Sequence, residues 1–216
     1  MRIDLVIFDC DGVLVDSEPI TSATWVDAAA ELGVSWTLEE HLDRFRGGTM
    51  ADVVAALEAE LGSVVPEDFV ESFRARLFNR LRSDVKTIPG VEAALDAIAH
   101  PICVASNGPH SKMEATLGST GLISRFEGRI FSAYEIGQFK PDPGLFLHAA
   151  HALGATPLRC VVVEDSDAGR EAALAAGMHA LLYDAESGIS SFEGATRFTD
   201  MNRLPELLER ICGLAS

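Results

Sequence analysis

The sequence predicts an α/β protein, a doubly wound parallel sheet into which an all-helical segment is inserted. Three observations carry that prediction. Short β-branched apolar runs recur along the chain, amphipathic stretches of crossover length separate most of them, and one long stretch near the N-terminus shows helical periodicity alone.

Taken in order, LVIF (5–8) is the first buried strand, and it gives way to Asp9, Asp11, Asp16 and Glu18. From about Ser17 to Ser83 no strand is expected. ITSATWVDAAAELG, TMADVVAALEAELG and PEDFVESFRARLFNRL each repeat apolar residues at helical spacing. The α/β pattern resumes at VKTIPG (85–90), so residues 1–16 and 86–216 form the core and 17–85 a helical insertion. The connections near Val15–Ser17 and Asp84–Thr87 are too short and too poor in Gly and Ser to be free tethers, which favours limited hinge motion. GVEAALDAIA (90–99) predicts a crossover helix, ICVAS (102–106) a strand, SKMEATLGSTG (111–121) a helix and RIFSA (129–133) a strand. PGLFLHAAHALG (143–154), CVVVED (160–165), DAGREAALAAGM (167–178) and ALLYD (180–184) continue the alternation as helix, strand, helix and strand, with right-handed crossovers.

The 216 residues, 48% of them hydrophobic, suit one domain carrying a smaller insertion. With 33 acidic against 17 basic residues the net charge is −16, which repels nucleic acid and anionic membranes, so neither is an expected partner. Cys10, Cys103, Cys160 and Cys212 are scattered, without CxxC spacing, and read as buried thiols in a reducing compartment. MRIDLVIFDCDG reaches charge too early for a secretory signal, and no apolar run nears the ~18 residues that span a bilayer. A cytoplasmic location is expected. Oligomeric state is not legible.

In an open α/β sheet, ligands bind outside the carboxyl ends of the strands. The first strand ends in Asp9 and Asp11, ICVAS in Ser106-Asn107-Gly108, and CVVVED in Glu164-Asp165, while the loop after RIFSA carries Lys140. A D-x-D pair alone says little, since Asp165 and Asp167 make a second. Convergence of Asp9, Asp11 and Asp165 says more, because three acids on one rim repel each other unless a divalent cation sits among them. Oxygen-only donors suit Mg²⁺ better than zinc. With Lys140, such an ion turns the acidic rim into a phosphate site, and Ser106 and the N–H groups behind it add neutral donors. Asp9 can then attack phosphorus as a carboxylate nucleophile, and Asp11 can protonate the leaving alcohol and later deprotonate water. Lys140 and the metal would neutralise the charge on the transferring phosphoryl group.

Four stretches, in order, resemble the motifs of the haloacid dehalogenase-like superfamily. They are DCDGVLVDSE (9–18), Ser106-Asn107-Gly108, Lys140-Pro141-Asp142-Pro143, and VEDS (163–166) followed by Gly169, Ala172, Ala173, Ala176, Gly177 and Met178. The match runs to about residue 183, and the insertion falls where the subfamily with a small helical cap places it. The resemblance implies a Rossmann-like core, phosphoric monoester hydrolysis through an aspartyl-phosphate, and Mg²⁺. It makes Asp9 the nucleophile, Asp11 the acid/base and, through its backbone carbonyl, a metal ligand. Ser106 and Lys140 would bind phosphate, and Asp165 the metal, with Glu164 a further ligand or a group behind the ligands. Within that family, SNGPHSKMEATLGSTGL and FSAYEIGQFKPDPGLFLHAA are similar to bacterial sugar-phosphate phosphatases of the 6-phosphogluconate type. The implied substrate is a small phosphate ester, a sugar phosphate or phospho-sugar acid. Glu18, Thr21, Asn107, Gly108, and Arg46 and Thr49 of the Arg46-Gly47-Gly48-Thr49 turn are the candidates for gripping it.

Other readings fit less well. A phosphomutase of this fold grips a second phosphate in its cap, and the related sugar phosphomutases have a histidine where this chain has Thr21 and an arginine where it has Met50. A dehalogenase lacks the second aspartate, Asp11. A phospho-accepting signalling receiver reverses the order of acceptor and acidic pair and carries no such insertion. Plain structural jobs also compete. Asp16 or Ser17 can cap the first inserted helix, Asp142 and Asp167 the helices at 143 and 168, and His148 and His151 can simply pack. Arg74, Arg76, Arg80 and Arg82 suit surface ion pairs, and Trp25, Phe69 and Phe73 the core of the insertion.

Overall fold

Residues 2–45, 49–185, 190–192 and 194–213 are described by the computed structural model. The strands are β1 (Leu5–Phe8), β2 (Val15–Asp16), β3 (Lys86–Thr87), β4 (Ile102–Ser106), β5 (Ile130–Ser132), β6 (Cys160–Glu164), β7 (His179–Tyr183), β8 (Ser190–Phe192) and β9 (Ala195–Phe198). Seven of them form one sheet in the order β5-β4-β1-β6-β7-β9-β8, parallel throughout except that β8 runs antiparallel to β9. All five strands expected from apolar runs are in it. β8 and β9 were not foreseen, because SSF and ATRF lack a continuous apolar run and lie at one edge.

The chain divides into two compact units. One holds the chain up to Asp16 and from Lys86 onward, the other Ser17–Val85. In the first, β1 sits between β4 and β6, and every residue of β1 and β6 is buried. Side chains alternate across the sheet. Leu5, Ile7, Cys103, Ala105, Cys160 and Val162 face one layer, where Phe146, Ala149 and Ala150 of α8 (Gly144–Ala152) and Ala172 and Ala173 of α9 (Asp167–Ala175) cover them. The small alanines let these helices approach the strands closely. Toward the other layer, the Phe8 and Phe126 rings meet edge to face at 6.3 Å. There α5 (Val91–Ala97) packs with α10 (Leu204–Gly213), and α6 (His110–Ser119) follows β4. A short helix, α7 (Ala133–Ile136), follows β5. The chain visits β1, β4 and β5 on one side and then returns past β1 to β6, so a crevice opens outside the carboxyl ends of β4, β1 and β6.

β2 and β3 pair antiparallel, Val15 with Thr87 and Asp16 with Lys86. The two connections read as hinges are therefore zipped into one small ribbon. Asp16 belongs to it and does not cap a helix.

The second unit holds α1 (Glu18–Glu31), α2 (Leu38–Phe45), α3 (Met50–Leu61) and α4 (Phe69–Asp84), with no strand among the described residues. Trp25 and Phe73 stack with centroids 3.8 Å apart, and Ala29, Val34 and Leu57 form an apolar cluster beside them. Arg76 pairs with Glu31 and Arg80 with Asp27. Cys10, Cys103 and Cys160 are buried, while Cys212 is only half-buried on α10. No helix among the described residues is long and apolar enough to cross a membrane.

Candidate active site

Asp9 follows β1 directly, and its backbone N–H continues the ladder by donating to Val163 O at 2.9 Å. That bond fixes the carboxyl at the floor of the crevice, where Asp9 is 7% exposed. Lys140 reaches the same point from the loop before α8. Its Nζ donates to Asp9 Oδ1 at 2.5 Å and to Glu164 Oε1, and it lies 4.9 Å over the Phe146 ring. Burial alone would lower the Lys140 pKa, but Asp9 and Glu164 together override it and raise it. For Asp9, burial raises the carboxyl, Lys140 works the other way, and Glu164 and Asp11 push it up again.

Glu164 closes β6 and is 1% exposed. Its Oε2 accepts from Asp165 N, Ser166 N and Ser166 Oγ at 2.9–3.1 Å, the donors at the start of α9. Both Glu164 oxygens thus have protein partners. A Cβ on Gly169 would fall 1.9 Å from the Glu164 carboxyl carbon, so only glycine admits that carboxylate beneath the helix. Gly12 does the same for Asp165. Its φ is +76°, and a Cβ there would stand 2.0 Å from Asp165 Oδ2.

Ser106 ends β4 and is buried, with its Oγ accepting from Gly108 N at 3.1 Å. Ser132 Oγ donates to Gly108 O at 2.8 Å, so both polar groups of the Gly108 backbone are engaged. Asn107 was expected to touch substrate. Its side chain instead brackets the backbone of Lys140, with Nδ2 donating to Lys140 O at 3.2 Å and Oδ1 accepting from Lys140 N at 2.9 Å. Both ends of its amide are used in joining the β4 end to the lysine loop.

Asp11 lies in the turn closed by Gly12 N to Val15 O, and its Oδ2 accepts from Lys112 Nζ at 2.8 Å. Sequence reasoning missed Lys112. Its partner stands 101 residues away, and the available signal was a lysine in the first turn of a helix, where a cation is disfavoured.

Among the described residues, Asp9, Glu164 and Asp165 offer carboxylate oxygens all within 4.8 Å of one another. Asp11 is not in that set. In formal charge, four carboxylates with two ammonium groups leave an excess of two negative charges. The crevice thus presents a buried carboxyl gripped by a lysine, a hydroxyl and a cluster of acids on three adjacent strand ends.

The expected helix-start residues settle into structural jobs. Asp142 Oδ1 accepts from Gly144 N at the start of α8, whereas α9 is capped by Ser166, with Asp167 its first helical residue. His148 meets Phe131 edge to face.

In the helical unit, Ser17 stands at the N-cap of α1 without a side-chain cap bond, and Glu18 is the first helical residue. Thr21 Oγ1 donates to Ser17 O at 2.9 Å. Thr49 forms a capping box with Asp52, accepting from Asp52 N at 3.2 Å and donating to Oδ2 at 2.7 Å. The hydroxyl protons of both threonines, expected at the substrate, are given to local acceptors, and each oxygen keeps a lone pair. Arg46 lies outside the described residues.

The model of the haloacid dehalogenase-like hydrolase family matches residues 3–177. The chain belongs to this family. Among curated proteins, this hydrolase is 36% identical to the 6-phosphogluconate phosphatase of Escherichia coli over 95% of each chain, and 32% identical to E. coli hexitol phosphatase B over 83% of this chain and 82% of that one. Among solved structures it resembles a haloacid dehalogenase-like protein of Agrobacterium tumefaciens, at TM-score 0.85 and 35% identity over 97% of this chain and 99% of that one. It also resembles a family hydrolase of Deinococcus radiodurans with bound phosphate and sodium, at TM-score 0.80 and 31% identity over 99% and 98%.

The divalent cation implied by the family resemblance finds a fitting set here. The donors are all oxygens, they are close enough to share one ion, and the excess of two negative charges is what one such ion would cancel.

Proposed function

We propose that this hydrolase is a Mg²⁺-dependent phosphatase acting on a small phosphorylated metabolite, a sugar phosphate or phospho-sugar acid, through an aspartyl-phosphate on Asp9. The observation that carries this reading is the buried Lys140 ammonium held between Asp9 and Glu164, a cation beside a nucleophile at the floor of the crevice.

A phosphate ester bound there would place its oxygens against Lys140 and the Ser106 hydroxyl. An oxygen of Asp9 forms a bond to phosphorus while the bond from phosphorus to the ester oxygen breaks, and Asp11, entering this step in its acid form and leaving it as the carboxylate, supplies the proton that the leaving alcohol takes up. Water then attacks phosphorus and loses a proton to Asp11, the bond to Asp9 breaks, and free phosphate leaves. Asp9, Asp165 and the Asp11 backbone carbonyl would hold Mg²⁺, which when bound supplies positive charge to the phosphoryl oxygens. Glu164, which accepts from Lys140 and from the first donors of α9 and belongs to the same acidic cluster, would orient Lys140 and stand as a further ligand or a group behind the ligands.

The names of the relatives support the substrate class. E. coli relatives are a 6-phosphogluconate phosphatase, a hexitol phosphatase and a fructose-1-phosphate phosphatase, and the D. radiodurans structure holds phosphate. Ser17–Val85 would be the cap that selects the substrate, with Glu18, Thr21, Arg46 and Thr49 as its candidates, each threonine oxygen keeping a lone pair beside its bonds within the cap.

The test is phosphate release from a panel of sugar phosphates, phospho-acids and nucleotides. Turnover should require Mg²⁺, stop reversibly on chelation, and fall on the order of a thousandfold or more in Asp9→Asn with the fold intact. Full activity in Asp9→Asn would sink the mechanism. Product analysis for isomerised phosphate would expose a mutase.

A further inference from the structure

Lys112 occupies a position that works against it on two counts. It is the third residue of α6, inside the first turn, where the partial positive charge of the helix end disfavours a cation. Its side chain is also only 18% exposed, which penalises the charge further. The interaction that offsets both is the bond from Nζ to Asp11 Oδ2 at 2.8 Å. Residues that violate local preference in this way concentrate where function demands them.

The surroundings give that demand a direction. A Cβ on Gly108 would lie 3.8 Å from Asp11 Oδ2, 3.8 Å from Lys112 Cδ and 3.5 Å from Ser106 Oγ. The Asp11 carboxylate, the lysine stem and the strand-end hydroxyl therefore converge over the bare face of Gly108. Asp9, Glu164 and Asp165 cluster together instead, without Asp11. Left to itself, a carboxylate two residues from Asp9 would be drawn to any cation bound by that cluster, where it could neither give nor take a proton.

We propose that Lys112 is a positioning residue that holds the Asp11 carboxylate against the turn between β4 and α6, apart from the metal-binding acids and available to the leaving oxygen and then to water. This rests on the phosphatase reading and adds to it a second lysine with a job different from that of Lys140. A purely structural ion pair, tying α6 to the loop after β1, would support stability without regard to the leaving group.

The leaving group therefore decides. Full-length Lys112→Met and Lys112→Arg are compared with the wild type on an alkyl sugar phosphate and on p-nitrophenyl phosphate, whose nitrophenolate departs without a proton. In Lys112→Met, kcat for the sugar phosphate should fall by roughly 10- to 100-fold with KM little changed, within the range that positioned acid/base groups contribute. The single-turnover burst of nitrophenolate should keep its wild-type rate, while the second step slows and aspartyl-phosphate accumulates. Lys112→Arg should recover part of the loss, and it supplies the test alone if the methionine variant does not fold. Equal slowing of both bursts, or no slowing of either substrate, overturns the assignment of Lys112. A wild type that releases no phosphate from either substrate overturns the phosphatase reading itself.

Discussion

A methyl group added at Gly12 would arrive 2.0 Å from Asp165 Oδ2 on a backbone with φ of +76°. Gly12→Ala should therefore cost about 1–2 kcal/mol of stability through the backbone alone. By displacing Asp165 it should also raise the Mg²⁺ concentration needed for half-maximal turnover. A thermal melt beside a Mg²⁺ titration separates the two effects, and an unchanged metal requirement would count against Asp165 as a ligand. The glycine itself was plain in DCDG, but what it makes room for is the residue just past the end of β6, more than 150 positions later. Asn107 follows the same logic. As a polar residue at a strand end it looked like a substrate contact, yet its partners are the backbone atoms of Lys140, 33 residues away. Asn107→Ala removes two half-buried hydrogen bonds. It is expected to cost about 1–3 kcal/mol and to lower turnover by loosening Lys140, leaving the Mg²⁺ requirement as it was. Equal turnover in the variant would show that the lysine loop holds itself.

Among the elements, α2 was not singled out within the all-helical segment because LEEHLDRF is only eight residues long, and its one buried residue is His41. That histidine is 4% exposed and sits among the rings of Trp25, Trp36 and Phe45, with neither ring nitrogen hydrogen-bonded among the described residues. Burial, and then the nearby Arg44, hold its pKa below the usual 6.5. The folded ring stays neutral where the unfolded one begins to charge. Its contribution to stability is therefore complete above pH 6.5 and is lost as pH falls toward the lowered folded value. Tryptophan fluorescence should report earlier thermal unfolding of the helical unit at pH 5.5 than at pH 7.5, with roughly the unfolded titration range as the window. His41→Phe should flatten that difference, and a variant as pH-sensitive as the wild type would remove His41 as its source. The helices that were legible, α1, α3 and α4, each bury apolar residues at regular spacing, including Trp25, Leu57 and Phe73.

At the scale of the molecule, the sheet was readable because a parallel strand covered on both faces must be apolar along its length, as LVIF and CVVVE are. The edge at β8 and β9 bears no such requirement and left no such mark. The strand ends named the site because polar residues that interrupt apolar runs at one end of a sheet converge once the strands align. Lys112 and Asn107 owe their roles to side-chain direction, which spacing does not encode. The β2–β3 ribbon gives the architecture one further property. Asp16 and Lys86 are paired neighbours, so everything between them hangs from what is in effect the tip of a hairpin. A two-residue Asn-Gly turn closes such a ribbon without strain. Replacing Ser17–Val85 with that turn should leave a core that still unfolds cooperatively, and a chain that failed to fold would show that the sheet depends on the insertion. If the core stands alone, the inserted helices are a cassette, free to be lengthened, traded or redesigned while the chemistry at the strand ends stays as it is.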